Sequence, residues 1–358
     1  MKKALIATPI LLACGITPSG DVAEPDTQSI PTRHGTVIAD GCLLDGWQMD
    51  TLGSSAAKSA IQEVVLDCLL PHADGSVTPN DASAQSDLKT LVASLQSMGY
   101  AVSLAASFTT DDGYTYDGAQ TATELANATW VASVASNIAE VSSAAVANGV
   151  ELDLEQLPAS ARPNVTSLVA AVASKIRPYK KLGVFLPPQT TTPSDVPGGD
   201  AFDVATLASS VDRFRVMTLD FSGSNPGPTI DTGWAVDALR FAQANASSAS
   251  FDVAYPLYGN DFTTSGAASV RFTTFLEAQG LASTYDVTAR RGPSQELVLD
   301  YTDDAHQTHE LWYDDATSTL IGLHAWDAQT LPTSVGVVYY GFGAEDPALW
   351  AAIAGAQQ

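Results

Sequence analysis

Residues Asn148-Gly149-Val150-Glu151-Leu152-Asp153-Leu154-Glu155 alternate acidic and aliphatic side chains. On a β-strand this puts Glu151, Asp153 and Glu155 on one face and Val150, Leu152 and Leu154 on the other. Carboxylates in a row on one face repel one another, which weakens the strand and raises the pKa of at least one of them. A proton held in this way is what general acid catalysis needs. The pattern also fits a solvated edge strand with its apolar side turned inward. The flanks favour chemistry: a long alanine-rich helical stretch precedes the strand, and Leu157-Pro158 breaks the chain after it. Helix, strand and loop in that order, with acids at the strand's C-terminal end, is the layout of a β/α-barrel site.

The elements that would hold such a site recur along the chain. Short apolar runs predict strands at 37–44, 63–68, 101–107, 150–154, 182–186, 214–220, 251–255 and 335–340. The region of Trp47 is the other candidate for the first of them. Amphipathic or alanine-rich stretches at 87–98, 128–147, 165–176 and 234–244 predict intervening helices. Eight strands alternating with helices predict an α/β protein, a closed (β/α)8 TIM barrel spanning residues 34–358. The interval before the last strand is longer than the others. Its strand-like runs at 296–301 and 309–313 predict a small α+β insertion over about 263–328. Asp346-Pro347 reads as a cap with proline in the first turn of a closing helix.

The chain has 358 residues, 45% hydrophobic and 16% charged, enough for one barrel or two smaller domains. Forty acidic residues against sixteen basic give a net charge of −24. That argues against nucleic acid and anionic membrane surfaces and fits a neutral substrate. Lys2 and Lys3 followed by an apolar run over 4–13 predict an export signal too short to span a bilayer. Leu11-Leu12-Ala13-Cys14 resembles the bacterial lipobox, which implies removal of residues 1–13, lipidation of Cys14 and a flexible tether over 14–33. Membrane attachment would then be through this lipid alone. Cys42 and Cys68 remain, either as a disulfide suited to an oxidising compartment or as two separate buried thiols. His306 and His309 are the only close histidine pair and lack a third ligand, so neither a metal nor a cofactor is expected.

Taken together, residues 148–155 resemble the D-G-x-D-x-D-x-E pattern on the fourth strand of glycoside hydrolase family 18, the chitinase-like barrels. Asn148 and Glu151 stand where the family has Asp, while Asp153 and Glu155 match. Met217-Thr218-Leu219-Asp220 resembles the family's M-x-Y-D, with Leu219 in place of tyrosine. Tyr255-Pro256-Leu257-Tyr258-Gly259-Asn260-Asp261-Phe262 is similar to the G-x-P-L-Y-G-x-D-W of the bacterial cell-wall and spore-cortex glucosaminidase branch. Residues 73–77, 309–315 and 336–347 fit the same branch, with Tyr340 where a barrel-floor tryptophan is usual.

The resemblance covers about residues 36–354. It implies a substrate-assisted retaining mechanism on an N-acetylglucosamine-containing glycan, carried out by a monomer. Glu155 is then the proton donor, Asp153 the acetamido partner sharing charge with Glu151, and Asp220 an orienting acid. Tyr258, Tyr340, Met217 and Asp261 are the implied substrate-binding residues. Trp47, after the first strand, is the candidate sugar platform. Loss of the hydroxyl at Leu219 would cost on the order of 3 kcal/mol of transition-state stabilisation unless Tyr258 or Tyr340 replaces it. A non-hydrolytic glycan-binding barrel of the same fold is the competing reading. Glu155 speaks for the enzyme and Leu219 for the binder.

Overall fold

The computed structural model describes residues 29–81, 87–110, 112–113, 115–266, 269–329 and 331–357; the lipobox and Cys14 lie outside them. The strands are β1 (Gly35–Asp40), β2 (Glu63–Pro71), β3 (Val77–Pro79), β4 (Ala101–Ser107) and β5 (Gly149–Asp153). Then follow β6 (Lys181–Leu186), β7 (Arg213–Val216), β8 (Phe251–Pro256) and β9 (Gly259–Thr263). The last are β10 (Ser269–Thr273), β11 (Arg290–Arg291), β12 (Leu297–Thr302), β13 (Thr308–Tyr313) and β14 (Gly336–Tyr340). Eight of them pair in parallel in the order β1-β2-β4-β5-β6-β7-β8-β14, and β14 returns to β1. This closed ring is a (β/α)8 barrel.

Alternation along each strand builds two apolar layers. Val37, Val64, Leu66, Val102, Leu104, Val150 and Leu152 point outward and are buried under the surrounding helices. Ile38, Val65, Ala105, Phe185, Ala254 and Val338 point inward and plug the barrel. Both faces of every barrel strand are therefore covered, which is why the strands read as near-continuous apolar runs. The helices are α1 (Gly46–Gly53), α2 (Ser55–Ala60), α3 (Leu88–Ser97), α4 (Gly118–Leu125), α5 (Ala128–Ala144) and α6 (Arg162–Ile176). They continue as α7 (Val204–Leu207), α8 (Thr232–Asn245), α9 (Phe275–Thr284), α10 (Ala316–Ala328) and α11 (Leu349–Ala356). Side-chain caps fix several starts: Asn127 accepts from Thr129 N and Trp130 N at α5, and Asp231 from Trp234 N at α8.

Several boundaries differ from the sequence expectation. β7 ends at Val216 because Met217 N turns to Leu186 O and Thr218 donates its hydroxyl to Ala254 O at 2.6 Å. Asp220 then takes a left-handed backbone, φ 53°. α11 starts at Leu349 because Asp346 spends its carboxylate on Ala348 N (2.9 Å) and Ala316 N (3.0 Å). The insertion is a five-stranded sheet, β10-β9-β13-β12-β11, with α9 packed on it. It begins at β9, before residue 263. α10 belongs to the barrel, since Leu323 and Trp326 join the main core. The last residues of the expected tether also dock: Ile30 is buried, its N–H bonds Ala356 O, and Arg33 pairs with Asp327 at 2.6 Å. Of the two states open to Cys42 and Cys68, the structure has the disulfide, with Cα atoms 4.9 Å apart, joining the β1–α1 loop to β2.

Candidate active site

The inward-facing polar residues fall into two groups at opposite ends of the barrel. At the N-terminal end, Arg215 is buried and donates to Glu63 (2.8 Å), Glu151 (2.8 Å), Asp252 (2.9 Å) and Thr36 (2.9 Å). Arg213 also bonds Asp252. Burial pushes Glu63 up, but the Arg215 charge and hydrogen bonds from His34, Arg215 and Ser103 outweigh it and hold Glu63 well below the usual carboxylate range. Glu151 goes the other way: burial raises it to about 7 despite Arg215. Here the structure corrects the sequence reading. Glu151 is tied into the barrel floor with Arg215, Glu63 and Asp252, and shares no hydrogen bond with Asp153.

The second group lies at the C-terminal ends of the strands. Tyr116, just before α4, donates its hydroxyl to Asp153 Oδ2, and Ser107 Oγ stands 3.5 Å from the same oxygen. Ser107 is also bonded to Asp67, midway along β2. Burial first, then the neighbouring Glu155 charge, lift Asp153 to about 8, with Tyr116 and Ser107 pulling the other way. Burial and Asp153 lift Asp67 to about 8. Glu155, just beyond the end of β5, is exposed to solvent and close to the charges of Asp220 and Asp67. Desolvation there, followed by the charges of Asp220 and Asp67, raises it to about 7. A carboxyl whose pKa is raised and that is open to solvent is suited to give a proton to an incoming oxygen.

Asp220 completes the group from the chain beyond β7. Tyr258 OH (2.9 Å) and Asn260 Nδ2 (2.8 Å) both donate to its Oδ1. These two donors and the left-handed backbone fix the carboxylate. A non-glycine residue in that region is a strain that surrounding contacts must hold in place. Beside the group a cavity of about 340 Å³ opens between β1, β2 and the chain after β4, lined by Asp40, Asp67, Ser107, Tyr116, Tyr340 and the Cys42–Cys68 bridge.

No protein-family profile matches the chain. Solved structures do. The spore cortex-lytic enzyme SleL of Bacillus cereus aligns at a TM-score of 0.75 with 16% identity, covering 92% of this chain and 76% of its own. A chitinase from Chromobacterium violaceum aligns at 0.73 with 20% identity, covering 90% of this chain and 99% of its own. The fold is that of the chitinase-like barrels. A curated relative, YdhD of Bacillus subtilis (strain 168), described as a sporulation-specific glycosylase, is 23% identical over 202 residues, 54% of this chain. The chain spans 47% of that protein's length.

In this chitinase-like barrel the other residues named from sequence are dispersed. Tyr340, half-buried on the inner plug, lies edge-on to Tyr258 with centroids 6.2 Å apart. Met217 and Leu219 pack against the same plug. Trp47 is half-buried against Phe342 at 6.4 Å. Asp261 is a correction: its oxygens are taken by Tyr301 (2.6 Å), His309 (3.0 Å) and Arg271 (3.3 Å) inside the insertion. On β9 it faces opposite to Asn260, which reaches Asp220 instead. Among the described residues no group of three or more His, Cys, Asp or Glu is arranged to hold a metal. Sequence reading missed Asp67, Ser107, Tyr116 and Asn260. Ser107 carried a usable signal, a polar residue ending a barrel strand, and Asp67 another, a lone acid inside an apolar run.

Proposed function

We propose that this chain is a glycoside hydrolase cleaving β-1,4-linked N-acetylglucosamine in peptidoglycan or chitin-type glycans, by a substrate-assisted retaining mechanism. The observation that carries the reading is the convergence of Glu155, Asp153 and Asp220 at the C-terminal mouth of a chitinase-like barrel, with Glu155 solvent-exposed yet pushed up by partial desolvation and by the charges of Asp220 and Asp67. Glu155 protonates the glycosidic oxygen. The acetamido oxygen attacks its own anomeric carbon while Asp153 accepts the acetamido N–H, and Asp220, held by Tyr258 and Asn260, orients that group. Glu155, then ionised, takes the proton from the incoming water. Glu155→Gln keeps shape and loses the proton, so turnover of labelled peptidoglycan and chito-oligosaccharides should fall about 10²- to 10⁴-fold while glycan affinity persists. Equal turnover in wild type and variant would sink the proposal.

A non-hydrolytic glycan-binding barrel is the second reading, and the observation in its favour is Leu219, which packs on the apolar plug and brings no hydroxyl to the mouth. Measurable glycan binding with no wild-type turnover would select it. We further propose an exported, lipid-anchored, monomeric protein. The support is Lys2-Lys3, the apolar run and Leu11-Leu12-Ala13-Cys14. Mass spectrometry of the mature N-terminus decides it: an intact Ala13–Cys14 bond excludes the anchor.

A further inference from the structure

The contacts of Asp153 leave one proton to be accounted for. Ser107 and Asp153 end β4 and β5 and sit side by side in the β4–β5 register, and Asp67 lies on the adjacent β2 opposite Ala105, where the β2–β4 register shifts. Ser107 Oγ lies between the two carboxyls, bonded to Asp67 and 3.5 Å from Asp153 Oδ2, the outer limit of a hydrogen bond. A serine hydroxyl has a single proton to donate. It can serve both neighbours only if one of the two carboxyls is itself protonated and donates to Oγ.

We infer that Asp67, not Glu151, is the second carboxyl of the Asp153 acid pair, sharing one proton with it through Ser107.

The surroundings support a shared proton over two free charges. Asp40 on β1 and Asp153 act on Asp67, while Glu155 acts on Asp153. Tyr116 and Tyr340 feel both carboxyls or their close neighbours. Every one of these groups is an acid or a phenol, and among the described residues none of the charges acting on the pair is a cation. Both carboxyls are pushed up from the ordinary aspartate range, by burial in each case and then by a neighbouring carboxylate, Asp153 for Asp67 and Glu155 for Asp153. Glu151 does not enter, because Arg215 holds it at the floor.

The proton can change sides without leaving the protein. The O–H bond of Asp67 breaks as its proton moves to Ser107 Oγ, and the serine's own proton moves to Asp153 Oδ2. One proton passes from Asp67 to Asp153 and Ser107 ends unchanged. Resting on the glycosidase reading, this gives Asp67 a positioning role. With the proton on Asp67, the ionised Asp153 accepts the acetamido N–H. When Glu155 has lost its proton, the shift to Asp153 leaves a neutral acid beside the new anion.

Asp67→Asn removes the shared proton and keeps the side-chain shape. In protein labelled at the aspartate carboxyl carbons, NMR titration should follow Asp67 and Asp153 as two coupled steps in wild type. In Asp67→Asn, Asp153 should titrate in one step, about one pH unit or more lower. Ser107→Ala should uncouple the two steps without removing either acid. In activity, Asp67→Asn should lower kcat more than it raises KM and move the alkaline limb of the pH profile to lower pH. A packing role alone would leave that limb fixed. An unchanged Asp153 titration in Asp67→Asn, or a larger change in Glu151→Gln, overturns the inference. Wild type that turns over no glycan would refute the glycosidase reading, and the titration would still decide the acid pair.

Discussion

Leu219 is where the residue chemistry of the mouth is thinnest. It sits on the apolar plug beside Met217 and Tyr340, one residue before Asp220. The hydroxyl nearest to Asp220 comes from Tyr258, and it is already engaged with Oδ1. Leu219→Tyr would bring a new donor to the edge of the mouth from the same backbone position. A donor aimed at a developing oxyanion is worth roughly 3 kcal/mol. The expected result is a rise in kcat of about tenfold or more, with thermal stability falling modestly because the ring overpacks the plug. Steady-state kinetics on a chito-oligosaccharide checks it. A stable variant with unchanged kcat would mean that the mouth does not need the missing hydroxyl.

Among the elements, the β5–β6 contact explains why Glu151 can be longer than the aspartate of the resembling pattern. Glu151 reaches Arg215 through space left open by Gly183, where an added Cβ would stand 1.7 Å from Glu151 Oε2. Arg215 prevents the carboxylate from moving aside. Gly183→Ala should therefore destabilise the fold by about 1–3 kcal/mol in urea titrations. Combining it with Glu151→Asp should restore part of the loss, since the shorter side chain withdraws from the contact. Additive losses in the double variant would refute this steric coupling.

The same elements mark what was legible in the sequence. All eight barrel strands were readable because burial on both faces left apolar runs. Glu155 and Asp153 were readable because β5 alternates acid and aliphatic side chains. The proton network was not, because Asp67, Ser107 and Tyr116 come from three different segments and meet only after the barrel closes. Glu151 was misassigned for a related reason: alternation gives its face but not its depth, and its partner Arg215 lies 64 residues away. The insertion boundary was missed because β9 follows β8 after only two residues, so its pairing with β10 and β13 has no separate sequence signal.

For the whole molecule, the raised acids set the direction of pH dependence. The coupled pair Asp67 and Asp153 holds its proton well above the usual carboxylate range, and Glu151 and Glu345 stand at about 7, each chiefly through burial. Their unfolded values are near 4, so between roughly pH 4 and 8 the folded state holds protons that the unfolded chain has released. Stability from this source is fully present below pH 4 and lost as pH rises through 7 and 8. Glu63, held low by Arg215, works oppositely, adding stability above about pH 4.5 that disappears only in stronger acid. The net charge of −24 adds repulsion that also grows with ionisation. The melting temperature should be higher at pH 5.5 than at pH 8.5 by several degrees, and salt should narrow the gap. A calorimetric scan with the opposite order would contradict this assignment of protons.

The docking of Ile30 and Arg33 sets a direction for the whole particle. Arg33 bonds the carbonyls of Pro332 and Val335, just ahead of β14, so the chain joins the barrel at the end opposite Glu155. If Cys14 is held in a lipid leaflet, the fifteen peptide links from it to Ser29 form a leash of at most about 54 Å. The barrel would then be tethered through the end opposite Glu155, with its mouth turned away from the membrane and never farther out than the leash allows. On the proposals of glycosidase and lipid anchor together, glycan farther from that membrane than leash and barrel can span would stay out of reach.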